Sequence, residues 1–314
     1  MRSDEIVSEN AGVITMFVQN KKIRKFIAIF AHNESLNIIA CLQSVKKAIA
    51  DGDQCLVLNN GSSDNTGELV EKFAQENPFC NLKNIQIGDK SNAWNVFIHD
   101  LHIQADHYYF LDGDCKVLPD ALTALEQALH QHPEAHAAAA LPADGIGDED
   151  RNLLLREGGL CGNLYALSGR FVGQLRSSNV RLPVGLIGDD SLIGALAYWD
   201  LNPQQSWDMH RIFICEQARF SYDPLSMFSF HDLRLYYRRK IRYSLRHFQN
   251  KMIKSPLKMG GLKGLPPHVN QLYKEHAGEL TLSWRGVDTW FDRLALQRIK
   301  QSADKEIVMI REDR

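Results

Sequence analysis

Apolar residues along the chain alternate between short continuous runs and stretches of helical period. The run "KFIAIFA", residues 25 to 31, ends in the polar "HNES" and reads as a strand covered on both faces. Apolar positions 36, 39, 42, 45 and 49 then follow helical spacing. "QCLVLNNGSSDNT" repeats the arrangement, with a strand, a polar turn and a helix through "GELVEKFAQEN". Residues 84 to 87 predict a short strand and "NAWNVFIHDLHI" a helix. "HYYFLDGD" predicts a fourth strand, after which Pro119 opens the helix "DALTALEQALHQH".

Beyond residue 140 the pattern is less regular. "LPADGIGDEDRN" reads as a loop, "GNLYALSGRFVGQLR" as a short strand and a helix, and "GDDSLIGALAYW" as an apolar helix with two acids at its mouth. A strand is expected near "RIFICEQARFSY". "SFHDLRLYYRRKIRYSLRHFQNKM" then carries apolar residues 233, 237, 241, 245, 248 and 252 on one face. Arg234, Arg238, Arg242 and Arg246 recur at four-residue intervals elsewhere on that helix, and "SPLKMGGLKGLPP" predicts its end.

This alternation predicts an α/β fold: a mostly parallel twisted sheet flanked by helices, followed by a helical C-terminal extension. In such sheets ligands lie beyond the carboxyl ends of the strands. "HNES", "NNGSSD" and "DGD" all fall there, and neither a GxGxxG nor a GxxxxGK phosphate motif occurs.

Composition adds two constraints. A net charge of −2 argues against a nucleic-acid partner, yet residues 234 to 263 hold ten Lys or Arg and no acid. That segment suits a diphosphate or an anionic membrane surface. The apolar runs are too short to span a bilayer, the N-terminus lacks a secretory pattern, and the six cysteines form no CxxC pair. Together these features predict free thiols in a cytoplasmic protein, with peripheral contact at the inner membrane face as a further expectation.

Each polar cluster supports two readings. Asp112 and Asp114 could hold magnesium or manganese through oxygen ligands, or belong to a solvated turn. Asp189 and Asp190 could cap a helix or supply a general base. His231 by itself is more often a surface or core histidine than a ligand.

Taken in order, the clusters resemble the family 2 glycosyltransferases of the GT-A fold, from about residue 24 through 248. "AIFAHNES" matches the asparagine–glutamate pair after the opening strand, here Asn33 and Glu34. "LVLNNGSSDNT" matches a DDGSxDxT-like motif, "LDGDCKV" the metal-binding DxD, and "IGDDSL" an ED-like pair. "SFHDLRLYYRRKIRY" resembles a histidine-containing segment followed by a QxxRW region.

The resemblance implies a nucleoside-diphosphate sugar (UDP, GDP or dTDP) as donor and a glycan or lipid-linked saccharide as acceptor. It places Asn33, Glu34, Asn59, Asn60, Asp64, Asp112, Arg238, Arg239 and Arg242 around the donor. Asp112, Asp114 and His231 would hold Mn2+ or Mg2+, Asp190 would be the catalytic base beside Asp189, and Asn163 and Tyr165 would face the acceptor. The outcome would be inverting sugar transfer.

Asn59 and Asn60 stand where the family has paired aspartates, while Arg239 and Tyr243 replace the glutamine and tryptophan of QxxRW. The latter changes favour addition of one or a few sugars over processive synthesis. Expected domains are an N-terminal extension (1–23), the transferase domain (24–232) and the basic helix with its C-terminal extension (233–314). A non-catalytic carbohydrate-binding or scaffold protein and a sugar nucleotidyltransferase are the alternatives.

Overall fold

The computed structural model describes residues 23–145, 148–223 and 230–303. The chain divides into two units, one of Met1–Val180 with Asp189–Pro224 and one of Arg181–Gly188 with Leu225–Arg314.

The first unit is built on β1 (Ile23–Ala31), β2 (Gln54–Asn60), β3 (Cys80–Ile85), β4 (Ala105–Asp112), β5 (Cys115–Val117), β6 (Ala137–Pro142), β7 (Leu164–Ser168) and β8 (Ile212–Tyr222). These form one sheet of order β3-β2-β1-β4-β7-β6-β8-β5. Pairings among β3, β2, β1 and β4 are parallel, as is β6 with β8, while β7 runs antiparallel to β4 and β6, and β5 antiparallel to β8. The expected α/β architecture is present, and its sheet is mixed. The strand β6 comes from "AAAALP", whose small residues carry little β signal, and burial on both faces makes it a strand regardless.

Alternation along β1 sorts the core into two layers. Ile27, Ile29 and Ala31 pack under α1 (Ile38–Ala48), α2 (Thr66–Glu76) and α4 (Ala121–Gln131), with Leu42, Val45, Val70, Leu122 and Leu125 in the same cluster. Phe30 belongs to the other face, where Phe110 stacks on Phe30, Trp94 and Tyr165. Trp94 is supplied by α3 (Lys90–Asn95), which continues as a π-helical turn from Val96 to Asp100. Among the described residues this unit also contains α5 (Asp148–Glu157), which begins inside the stretch expected to be a loop and runs beyond it, α6 (Gly169–Ser177) and α7 (Asp189–Tyr198).

The second unit contains α8 (Phe230–Gly260), α9 (Val269–His276) and α10 (Asp288–Ala303). Helix α8 continues through Pro256, beyond its expected end, because Met252, Ile253 and Leu257 are buried there. Gln249 has no exposed surface and uses both ends of its amide. Its oxygen accepts from Ile187 N at 2.7 Å, and its nitrogen donates to Gly185 O at 2.9 Å and Tyr273 Oη at 2.7 Å.

Candidate active site

Parallel pairing brings the carboxyl ends of β2, β1 and β4 side by side, with Asn59 opposite Ala31 and Asp112 opposite Phe30. Three of the predicted clusters therefore share one edge of the sheet. Asp64 organises the first two loops: its carboxylate accepts from Ser35 N at 3.1 Å and Thr66 N at 3.0 Å, and also from the Thr66 hydroxyl. Desolvation is the largest single influence on Asp64 and pushes it up, but those bonds together outweigh it and pull the carboxyl down to about 2. Asn33, at φ 57°, accepts from Ser63 N through its side-chain oxygen and fixes the facing loop at 2.7 Å. Glu34 holds Asn37 at 3.0 Å.

The two asparagines of β2 have separate tasks. Asn60 is buried and its side-chain oxygen accepts from Asp89 N at 2.8 Å, tying β2 to the loop before α3. Asn59 donates through Nδ2 to Asn84 Oδ1 at 2.7 Å, which leaves its own Oδ1 buried without a partner. Gly61 adopts φ 61°, and a side chain there would strike Gly88 N at 2.7 Å.

The DGD turn follows β4. A side chain at Gly113 would lie 3.1 Å from Phe30 O, so close approach to β1 explains the glycine. Asp112 and Asp114 project from this turn, and Asp114 Oδ1 accepts from the Cys115 thiol at 3.3 Å. Burial, with Asp114 adding and Lys90 opposing, pushes the Asp112 carboxyl up to about 6.

Lys90 connects the separate acidic clusters. Its Nζ lies 2.6 Å from Asp112 Oδ1 and 3.6 Å from Asp189 Oδ2, and it donates to Gly162 O at 3.3 Å. Burial opposes its charge, but Asp112 and Asp189 prevail and hold the ammonium well above its ordinary value. Gly162 also abuts Asp190, whose carboxylate oxygen would be 3.4 Å from a side chain placed there. Asp189 and Asp190 form the first turn of α7 and are both buried. The "DGD" and "GDD" stretches, 75 residues apart in numbering from Asp114 to Asp189, thus meet around one lysine and one glycine.

The expected acceptor residues are placed differently from one another. Asn163 bonds Cys115 Sγ at 3.2 Å through Nδ2 and its carbonyl accepts from Asp112 N at 3.1 Å, immediately beside the DGD turn. Tyr165 has no exposed surface, stacks on Phe110 at 4.8 Å and lies beneath the site. Burial and then Asp189 keep its phenol well above the usual range, hence neutral. Arg238, Arg239 and Arg242 belong to α8 of the second unit; Arg238 and Arg242 are exposed and Arg239 is half-buried. The side chain of His231 lies outside the described residues.

The donor set at the DGD turn fits a hard divalent cation. Two carboxylates lie close enough that Asp114 raises Asp112, a repulsion that a cation between them would relieve. Another group, His107, Glu126 and His130, brings its ligand atoms within 4.8 Å of one another. There Glu126 already accepts from Arg24 at 2.8 Å and Lys25 at 3.3 Å, so its charge serves an ion-pair network near the start of β4.

Residues 26–181 match the family described as Glycosyl transferase family 2. The poly-beta-1,6-N-acetyl-D-glucosamine synthase of Staphylococcus aureus (strain COL) is 24% identical over 209 residues, 62% of this chain. The match takes in 47% of that protein, so the chain spans about half the length of the curated relatives it matches.

Among solved structures, a mannosyltransferase from Pyrobaculum calidifontis in complex with GDP-Man and Mn2+ superposes with a TM-score of 0.56 at 15% identity, covering 95% of this chain and 93% of that one. S. aureus TarS 1–349 in complex with UDP-GlcNAc gives 0.50 at 13% identity, covering 90% and 91%. At these identities the two structures establish a shared fold.

Proposed function

This chain belongs to glycosyl transferase family 2, and from that premise we propose that it transfers a sugar from a nucleoside-diphosphate donor to a glycan or lipid-linked acceptor hydroxyl, with inversion. The observation that carries the reading is the meeting of Asp112, Lys90 and Asp189 beside Asp190 at the carboxyl edge of the sheet. A site for this reaction needs positive charge for the departing diphosphate and a carboxylate for the incoming hydroxyl. Both are supplied here by separate chain segments.

In this reading Asn59 Oδ1, buried and unpartnered, accepts a ring N–H of the base, which uracil and guanine both offer. Asn33, Glu34, Asn60 and Asp64 shape the loops that enclose the nucleoside. Asp112 and Asp114 would hold Mn2+ or Mg2+, which when bound supplies Lewis-acid stabilisation of the diphosphate. Asp190 takes the proton of the acceptor hydroxyl, and Asp189 with Lys90 fixes the neighbouring charges. Asn163 borders the acceptor side, whereas Tyr165 supports the site from below. We assign Arg238, Arg239 and Arg242 to phosphate recognition, with His231 a candidate further metal ligand.

The named relatives make UDP-N-acetylglucosamine the first donor to screen and a polysaccharide the first acceptor class. Addition of one or a few sugars is the reading taken from Arg239 and Tyr243. Calorimetry with UDP, GDP and dTDP, with and without manganese, tests the nucleotide half, beside Asp112→Ala/Asp114→Ala. Metal-dependent binding of one nucleotide, lost in the folded variant, is expected. Product analysis tests the chemistry: release of nucleoside diphosphate supports transfer of a sugar, and release of pyrophosphate would identify a nucleotidyltransferase. Well-folded protein that binds none of the nucleotides would overturn the reading in favour of a non-catalytic scaffold.

A further inference from the structure

We propose that the second unit docks on an anionic lipid membrane through a face made by the Tyr236–Tyr243 turns of α8 and the segment from Leu282 to Trp290. The observation is an unusual exposure of apolar surface. Trp284 is 85% exposed, Val287 79% and Trp290 58%. Isolated exposed apolar residues are ordinary, but two tryptophans and a valine within one short segment form a patch.

The segment is held in place. Arg285 donates to both carboxylate oxygens of Asp292 at 3.0 and 3.1 Å, and its backbone N–H donates to Thr289 Oγ1 at 2.7 Å. Lys240 bonds Asp288 at 2.9 Å, and Tyr237 meets Phe291 at 5.7 Å between ring centroids, which fastens the start of α10 to α8. At that junction Tyr236 and Tyr243 are 48% and 60% exposed. They share one side of α8 with Lys240, whose ammonium lies 5.9 Å from the Tyr236 ring centroid.

Charge selects the occupant. Residues 234 to 263 hold ten basic residues and no acid, and Lys251, Lys254 and Lys258, all exposed, continue the Tyr236, Lys240 and Tyr243 side of α8 at helical spacing. The acids within and just after this segment, Asp288 and Asp292, are already paired with Lys240 and Arg285. A protein interface concentrates apolar residues and depletes lysine at its core. Tryptophan and tyrosine beside long cationic side chains instead match the boundary between acyl chains and anionic headgroups. No described helix is long and apolar enough to cross a membrane, so contact would be along the surface.

The test is flotation of the full chain with phosphatidylcholine vesicles, with and without phosphatidylglycerol, at low and high salt. Retention is expected only on phosphatidylglycerol vesicles, and it should weaken as salt rises. Trp284→Ser/Trp290→Ser should lower apparent vesicle affinity about ten-fold or more. Unchanged circular dichroism and thermal melting would establish that this variant folds. No retention, equal retention on neutral vesicles, or unchanged retention of the folded variant would overturn the proposal. A concentration-dependent dimer that the double variant abolishes would assign the face to a second copy and overturn it as well. No nucleotide is present, so the outcome is separate from that of the sugar-transfer reading.

Discussion

Lys90 Nζ lies 2.6 Å from Asp112 Oδ1, joining the loop after the third strand to the acidic turn after the fourth. A cation in the first turn of a helix opposes the helix dipole, and the facing carboxylates offset that conflict. Lys90→Met should therefore leave Asp112 and Asp189 repelling each other and remove positive charge from the proposed diphosphate side. Transfer measured as kcat/KM is expected to fall about 10²–10³-fold, with Lys90→Arg retaining part of it. Activity unchanged in Lys90→Met would remove this residue from the machinery.

Asp190 is buried at the mouth of α7 and packed against Gly162, a position suited to a base that must stay fixed. Asp190→Asn preserves shape and hydrogen-bonding capacity but cannot take a proton. Steady-state kinetics should show kcat reduced about 10²–10⁴-fold while nucleotide affinity by calorimetry stays near that of the parent. Equal loss of nucleotide binding would point to a binding role instead.

The sequence reading reached the strands that end at the site because their apolar runs are long and the polar clusters break them sharply. It also located both acidic pairs, whose juxtaposition depends on β7 pairing with β4 and could not follow from spacing alone. Lys90 was missed: one lysine between "GD" and "SN" resembles any solvated helix start. Its signal was the unfavourable placement of a cation at a helix N-terminus, a local conflict of the kind found at functional sites. Strand β6 was missed because four alanines carry no strand pattern, and α5 because its acidic sequence resembled a loop. Tyr165, read from sequence as facing the acceptor, is buried because alternation along β7 turns it toward Phe110.

Asp64 gives a pH prediction of definite sign. Its carboxyl is lowered from 3.8 to about 2 by hydrogen bonds from Thr66 and Ser35 that outweigh desolvation. A depressed acid contributes stability that is present above its unfolded value and is lost as pH falls through the folded one. The loops carrying Asn33 and Thr66 should therefore loosen between about pH 4 and pH 2, and Asp64→Asn should flatten that part of the acid-unfolding curve. Comparing parent and variant by circular dichroism across this range checks it. Superimposable curves would count against Asp64 as the organiser of these loops.

Lys25 provides a stability test away from the proposed chemistry. It sits within β1, almost wholly inaccessible, with Nζ 3.2 Å from Asp53 and 3.3 Å from Glu126, whose side chains are also buried. A buried lysine at the start of this apolar run persists because two carboxylates compensate its desolvation. Replacing it with methionine retains most of the packing but leaves Asp53 without this partner and Glu126 dependent on exposed Arg24. The expected loss is about 3–5 kcal/mol, measured by urea unfolding. The triple variant Lys25→Met/Asp53→Asn/Glu126→Gln should recover part of that loss by removing the stranded charges. If Lys25→Met alone is neutral while unfolding remains cooperative, the ion-pair network contributes little to holding β1 in the sheet.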